Sequence, residues 1–196
     1  IISLYSKEVM NVGIAEMDDI YFEHADAKIS AEEILKMYEY KTAHYTFSLP
    51  LILGALISGK SEIIDSLYNI GESLGVIYQI RDDDLGIFGD DKLGKSLGID
   101  IKSNKKTLHR QYLFDLAKDP QDKEFLENIF GNENLDSEDI ADIQGLIKKY
   151  CVDKLILEKI NFYEERANKM IEGLDCNEHY KGLLHEILMY VNSRTK

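Results

Sequence analysis

Proline is almost absent from this chain. Its 196 residues hold only two prolines, Pro50 and Pro120, and strand-like alternation is scarce, so apolar residues recur at helical spacing over long stretches. The pattern predicts helices over 1–22, from Ser30 through Tyr45, over 51–58, 60–88, 107–117 and 122–130, one or two more within 137–170, and a last one over 179–191. The second opens on Ser30-Ala31-Glu32-Glu33, a capping box in which Glu33 reaches back to Ser30, and Pro50 is expected to kink or end it. The longest carries Ile63, Ile64, Leu67, Ile70, Leu74, Ile77, Tyr78 and Ile80. Residues 89–105 are rich in glycine and charge and read as a loop. No repeat, low-complexity tract or dividing linker is visible. The expectation is one all-α domain over residues 1–196, with antiparallel helices on short connections.

Charge and composition narrow the partners. The formal net charge is -13, which argues against nucleic acid, because phosphate backbones demand a basic footprint. Small anionic ligands stay possible, since they need only a few placed lysines or metal ions. The longest apolar run, 47–59, is too short for a membrane span and contains Pro50. Cys151 and Cys176 have no metal-ligand spacing, and no signal peptide is visible. The reading is a soluble protein of a reducing, cytoplasmic compartment. The chain begins at Ile1, inside a helical pattern, so upstream sequence is expected.

The most informative stretch is VIYQIRDDDLGIFGDD, residues 76–91. Three consecutive aspartates repel one another, and the run is either a solvated acidic face or half of a metal site. Gln79, Asp82, Asp83 and Gly86 fall at i, i+3, i+4 and i+7, one stripe of a helix, whereas Asp84 lies about 200° round from Asp82. Lys95, Asp100 and Lys105 follow on the glycine-rich loop, and Lys41, Thr42 and Tyr45 form another stripe upstream. Mg²⁺ takes oxygen ligands, commonly one or two carboxylates completed by water and substrate phosphates, and lysine suits phosphate oxygens as a point charge. Carboxylates and lysines on neighbouring helices therefore suggest a diphosphate held through magnesium.

The block YQIRDDDLGIFGDDKLGKSLGIDIKSNKKTL, residues 78–108, resembles the second aspartate-rich region of the trans-polyprenyl diphosphate synthases. KTAHYTFSLPLILGALISG, residues 41–59, resembles the Lys-Thr helix of that family, and AEMDDI, residues 15–20, loosely resembles its Gly-Gln-x-x-Asp-hydrophobic element. The resemblance implies an isoprenoid synthase-type helical bundle with a central cavity, here incomplete at the N-terminus, and normally a homodimer. The implied reaction condenses an allylic diphosphate with isopentenyl diphosphate. Carried over by position, Asp82 and Asp83 are metal ligands with Asp100 and Asp19 further out. Lys41, Lys95 and Lys105 hold diphosphate, and Thr42, Gln79 and Tyr45 place oxygens near the developing cation. Tyr78 stands where the family usually has phenylalanine.

Two departures matter. Gly86 replaces the third aspartate of the motif, and Asp84 faces elsewhere, leaving Asp90 as an approach from the loop. No first aspartate-rich motif followed by arginines is found upstream, so the chain is expected to be the C-terminal portion of a synthase and inactive alone. Arg194-Thr195-Lys196 resembles the basic tail that closes over the site in some members. A non-catalytic partner subunit of a synthase is the alternative reading, and a terpene cyclase on the same fold is a third. His44 is expected to have a surface or packing role.

Overall fold

The computed structural model describes residues 1–25, 28–89 and 97–194. They form α1 (Ile2–His24), α2 (Ala31–Tyr38), a π-helix (Glu39–Ser48), α3 (Leu49–Ile57), a 3₁₀ turn (Ser61–Ile63) and α4 (Ile64–Phe88). Then follow α5 (Ile99–Lys102), α6 (Leu108–Leu116), α7 (Pro120–Ile129), α8 (Ser137–Lys149), α9 (Val152–Glu172) and α10 (Glu178–Asn192). No strand occurs among the described residues, as the helical periodicity requires.

Helix starts are specified locally. The Ser30 hydroxyl accepts from the Glu33 amide at 3.2 Å while the Glu33 carboxylate accepts from the Ser30 amide at 2.8 Å, which is the expected capping box. Thr107 caps α6, Asp119 caps α7, Asp136 caps α8 and Asn177 caps α10. Pro50 behaves differently from expectation. It does not end the helical run begun at Ser30, which continues through the π-helix into α3. The backbone has already widened into the π-helix at Glu39, and α-helical bonding resumes around the proline, at the second residue of α3. The Leu49 amide still bonds the His44 carbonyl five residues back. The missing Pro50 donor therefore falls where one hydrogen-bond ladder hands over to the other, and no interior bond is lost. The loop expected over 89–105 also gains one turn of helix, α5.

The residues group into two compact units. The first comprises Ile1–Asp18, Leu35–Arg81 and Lys159–Arg194; its interior is built from Tyr38, Ala43, Ile70, Leu74, Ile77 and Ile160, all fully enclosed. Two glycines let its π-helix and α4 touch backbone to backbone. A methyl group at Gly71 would overlap Ser48, and one at Gly75 would overlap Ala43. The Ser48 hydroxyl then donates to the Tyr68 carbonyl at 2.8 Å. The second unit comprises Asp19–Ile34 and Asp82–Glu158, and Ile101, Leu108, Leu113, Leu126, Ile143 and Ile147 are buried in it. No helix among the described residues is long and apolar enough to cross a membrane.

Candidate active site

In the first unit, the Lys-Thr stripe rides on the π-helix. Helices of this type are rare and collect at functional sites, because the widened turn re-aims side chains that an α-helix would place otherwise. The Thr42 hydroxyl donates to the Gln79 side-chain oxygen at 2.7 Å, and both residues are buried. This bond joins two residues 37 positions apart, and the Gly75–Ala43 contact brings their backbones close enough for it. The Lys41 ammonium lies 3.1 Å from a Glu16 carboxylate oxygen, so the two upstream elements meet through a charge pair. Tyr45 is half-exposed, its ring 6.5 Å from that of Tyr5. Tyr78 packs against Phe47 at 5.6 Å between centroids, and the Arg194 guanidinium sits 4.2 Å above its ring.

His44 points into a separate buried network of the same unit. Its Nε2 is 2.7 Å from the Tyr68 hydroxyl, and the carboxylates of Glu72 and Glu8 lie at 3.6 and 3.7 Å. Arg166 pairs with Glu72 at 2.6 Å. Burial, then the charges of Glu72 and Glu8, push the Tyr68 hydroxyl well above the ordinary tyrosine range. The packing role expected for His44 holds. Its partners escaped sequence reading, because contacts among residues 8, 44, 72 and 166 carry no local spacing signal.

The second unit contains the acidic run. Asp83 is 1% exposed. The Lys105 ammonium lies 3.9 Å from Asp83 Oδ1 and 3.7 Å from Asp100 Oδ1, so one cation serves two carboxylates. Burial acts to lower the Lys105 pKa, but Asp83, Asp100, Asp19 and Asp82 together outweigh it and hold the group above the usual lysine range. Asp84 does turn away from the stripe, and its Oδ1 meets His109 Nε2 at 2.7 Å. That pairing gives His109, itself buried, a partner that the sequence did not suggest. Next in the chain, burial and then the neighbouring charge of Arg110 push the Lys106 ammonium down to about 8. Lys95 and Asp90 lie outside the described residues.

Among the described residues, no three histidine, cysteine or carboxylate side chains already converge as a closed metal site. The donor set is nevertheless one that Mg²⁺ accepts. Asp82 and Asp83 offer hard oxygens on adjacent residues of α4, and Mg²⁺ characteristically takes only one or two carboxylates and fills the rest of its shell with water and phosphate.

Comparison with known proteins identifies the family. Residues 1–147 match the polyprenyl synthetase family. The chain is 32% identical over 152 residues to the geranylgeranyl diphosphate synthase of Sulfolobus acidocaldarius, covering 76% of this chain and 45% of that protein. It is 31% identical over 166 residues to the farnesyl pyrophosphate synthase of Candida albicans, covering 82% and 45%. Its fold superposes with a TM-score of 0.91, at 28% identity, on the geranylgeranyl pyrophosphate synthase of Corynebacterium glutamicum, a structure complexed with isoprenyl diphosphate and magnesium; 98% of this chain and 54% of that one are covered. The chain thus spans about half the length of the relatives that it matches. With the Thr42–Gln79 pair and the acidic stripe of α4 both in the matched segment, this all-α chain belongs to the polyprenyl synthetase family.

Proposed function

We propose that these residues are the C-terminal portion of one prenyltransferase domain. The whole protein would condense an allylic diphosphate with isopentenyl diphosphate to a short-chain trans-prenyl diphosphate, in the cytoplasm, as a homodimer using Mg²⁺. The observation that carries this reading is the Asp83–Lys105–Asp100 array beside Asp82, within the segment matched to the family.

The chemistry follows from charge. Ionising an allylic diphosphate places negative charge on the leaving group, and bound Mg²⁺ supplies its neutralisation. Asp82 and Asp83 would hold the ion, with Asp100 supporting. Lys41, Lys95 and Lys105 are assigned to diphosphate oxygens, where fixed cations stabilise the departing group. Thr42 is well suited to steady an allylic cation. Its only proton is committed to Gln79, so the lone pairs of its oxygen are what it can offer. Tyr45 and Tyr78 would line the substrate region.

The test is turnover of the intact protein with an allylic diphosphate and labelled isopentenyl diphosphate. Asp82→Ala should abolish elongation while the circular dichroism spectrum and Tm stay near wild type; near-normal kcat would overturn the assignment. Gly86, in place of an aspartate, favours one second reading, a non-catalytic partner subunit. Magnesium-dependent binding of a bisphosphonate would count against that reading, since such a subunit has no need of it.

A further inference from the structure

Two cations of the second unit stand apart from its carboxylates. Lys106 and Arg110 lie on either side of Thr107, whose hydroxyl caps the start of α6 by accepting from the Arg110 amide at 3.2 Å. Lys106 is only 6% exposed, and its ammonium donates to the Asn104 carbonyl at 3.4 Å. The Arg110 Nε donates to Asn104 Oδ1 at 3.0 Å, and the guanidinium lies 4.1 Å from the Phe114 ring centroid and 5.1 Å from that of Phe130. One asparagine, held in a left-handed turn at φ +55°, therefore gathers both cations. Among the described residues, neither has a carboxylate within ion-pair distance. The next lysine in the chain shows the contrast, since Lys105 meets Asp83 and Asp100. Burial pushes Arg110 down to about 10. Burial and then Arg110 push Lys106 down to about 8, and Glu23, the one carboxylate acting on it, only partly offsets them.

The helix adds to the positive charge. Amides at a helix N-terminus carry partial positive charge, and the first turn of α6 holds no acidic residue to offset it. Two cations and a helix N-terminus repel one another, in a chain of net charge -13 that has carboxylates to spare. An anion entering from outside matches all three. Asn104, Arg110, Phe114 and Phe130 are half-buried, so the guanidinium stays within reach of solvent while Lys106 lies beneath it. The Arg110 Nε is taken by Asn104, which leaves the terminal nitrogens to grip an oxyanion as a fork. We propose that Lys106 and Arg110, at the start of α6, form a metal-independent binding site for a phosphate dianion, free or as a monoester. The site uses none of the residues assigned to the allylic diphosphate or its metal, and it stands whether or not the prenyltransferase reading does.

The test is calorimetric titration of inorganic phosphate into the intact protein, at constant ionic strength and with EDTA, so that no metal bridges phosphate to the carboxylates of α4. Binding should saturate at one phosphate per chain. Lys106→Met should weaken it by about 10- to 100-fold, the loss of one charge-assisted contact. Removing a buried, unmatched charge should not unfold the chain, so this variant reports on binding. Phosphate should raise the Tm of the wild type and much less that of Lys106→Met. Arg110→Lys, which keeps the charge but not the fork, should also weaken binding. Lys28→Met, which removes an exposed cation of the same unit, should leave it unchanged; an equal loss there would reduce the effect to net charge and overturn the proposal. So would the absence of saturable binding, or wild-type affinity in Lys106→Met. Loss in Lys41→Met with retention in Lys106→Met would place phosphate in the substrate region and overturn it too. Glycerol 3-phosphate distinguishes the sources: tighter binding than inorganic phosphate supports a monoester ligand, weaker binding the free ion.

Discussion

Replacing Lys105 with methionine tests the electrostatic account of the second unit most directly. The ammonium lies 3.7 Å from Asp100 and 3.9 Å from Asp83, and its side chain is only 14% exposed. At an effective dielectric constant of about 20, each pair is worth about 4 kcal/mol of Coulomb attraction. Desolvation of the lysine offsets much of that, and mutation leaves two buried carboxylates without their shared counter-charge. The net loss should be about 3–5 kcal/mol, the cost of breaking a buried pair by removing one partner. That is a large share of the roughly 5–15 kcal/mol that holds a domain folded. The assay is urea unfolding of the intact protein, read as a change in midpoint at constant m. Lys28→Met is the control: Lys28 pairs with Asp115, but its side chain is 76% exposed, and its removal should cost less than about 1 kcal/mol. A Lys105→Met loss below about 1 kcal/mol would refute the reasoning.

Thr42→Val should destabilise by about 1–2 kcal/mol, because it strands the buried Gln79 oxygen that now accepts at 2.7 Å; Thr42→Ser should keep most of that stability, as differential scanning calorimetry would report. Gly75→Ala forces a methyl group onto the Ala43 backbone and should cost about 3 kcal/mol or more, at the upper end for overpacking, visible as a lower Tm. Lys106, held down to about 8 by burial first and Arg110 second, binds fewer protons folded than unfolded between that value and its unfolded pKa of about 10.4. Stability from this residue therefore rises across that interval. Lys106→Met should be more stable than wild type at pH 7, and the gap should narrow in urea titrations run at successively higher pH.

The helices were legible because their signals are local. Ser30 and Glu33 announce a cap within four residues, and the apolar stripe of α4 repeats along one element. The π-helix was not legible, because EYKTAHYTFS has nothing in its periodicity that distinguishes a widened turn from an α-helical one. The distinction comes from packing, where Gly71 and Gly75 admit Ser48 and Ala43 against α4. Pro50 misled for the same reason: its penalty depends on which carbonyl awaits a donor, and the π-to-α transition changes that. At the site, helical spacing put Asp82 and Asp83 on one stripe and turned Asp84 away, and the structure supplies His109 as the partner of Asp84. What spacing could not give is the place of Asp100. Asp100 lies fourteen positions beyond Gly86, and the bond from the Gly98 amide to Gly86 leaves no trace in composition.

A chain of net charge -13 with three adjacent aspartates looks at first like a poor receptor for an anionic substrate. The three aspartates have different duties, which resolves much of that tension. Asp84 is matched by His109. Asp83 is matched by Lys105, which Asp100 also engages. Yet Asp83, Asp100, Asp19 and Asp82 all act on the one Lys105 ammonium, so negative charge is concentrated around it. An anion approaching that face alone meets repulsion in a partly buried, weakly screened setting. On the proposed reading, a diphosphate accompanied by divalent cations would meet the reverse, because the same carboxylates would then supply ligands. That reading therefore expects metal and substrate to bind together, with Asp82, Asp83 and Asp100 as the carboxylates proposed to hold the ion.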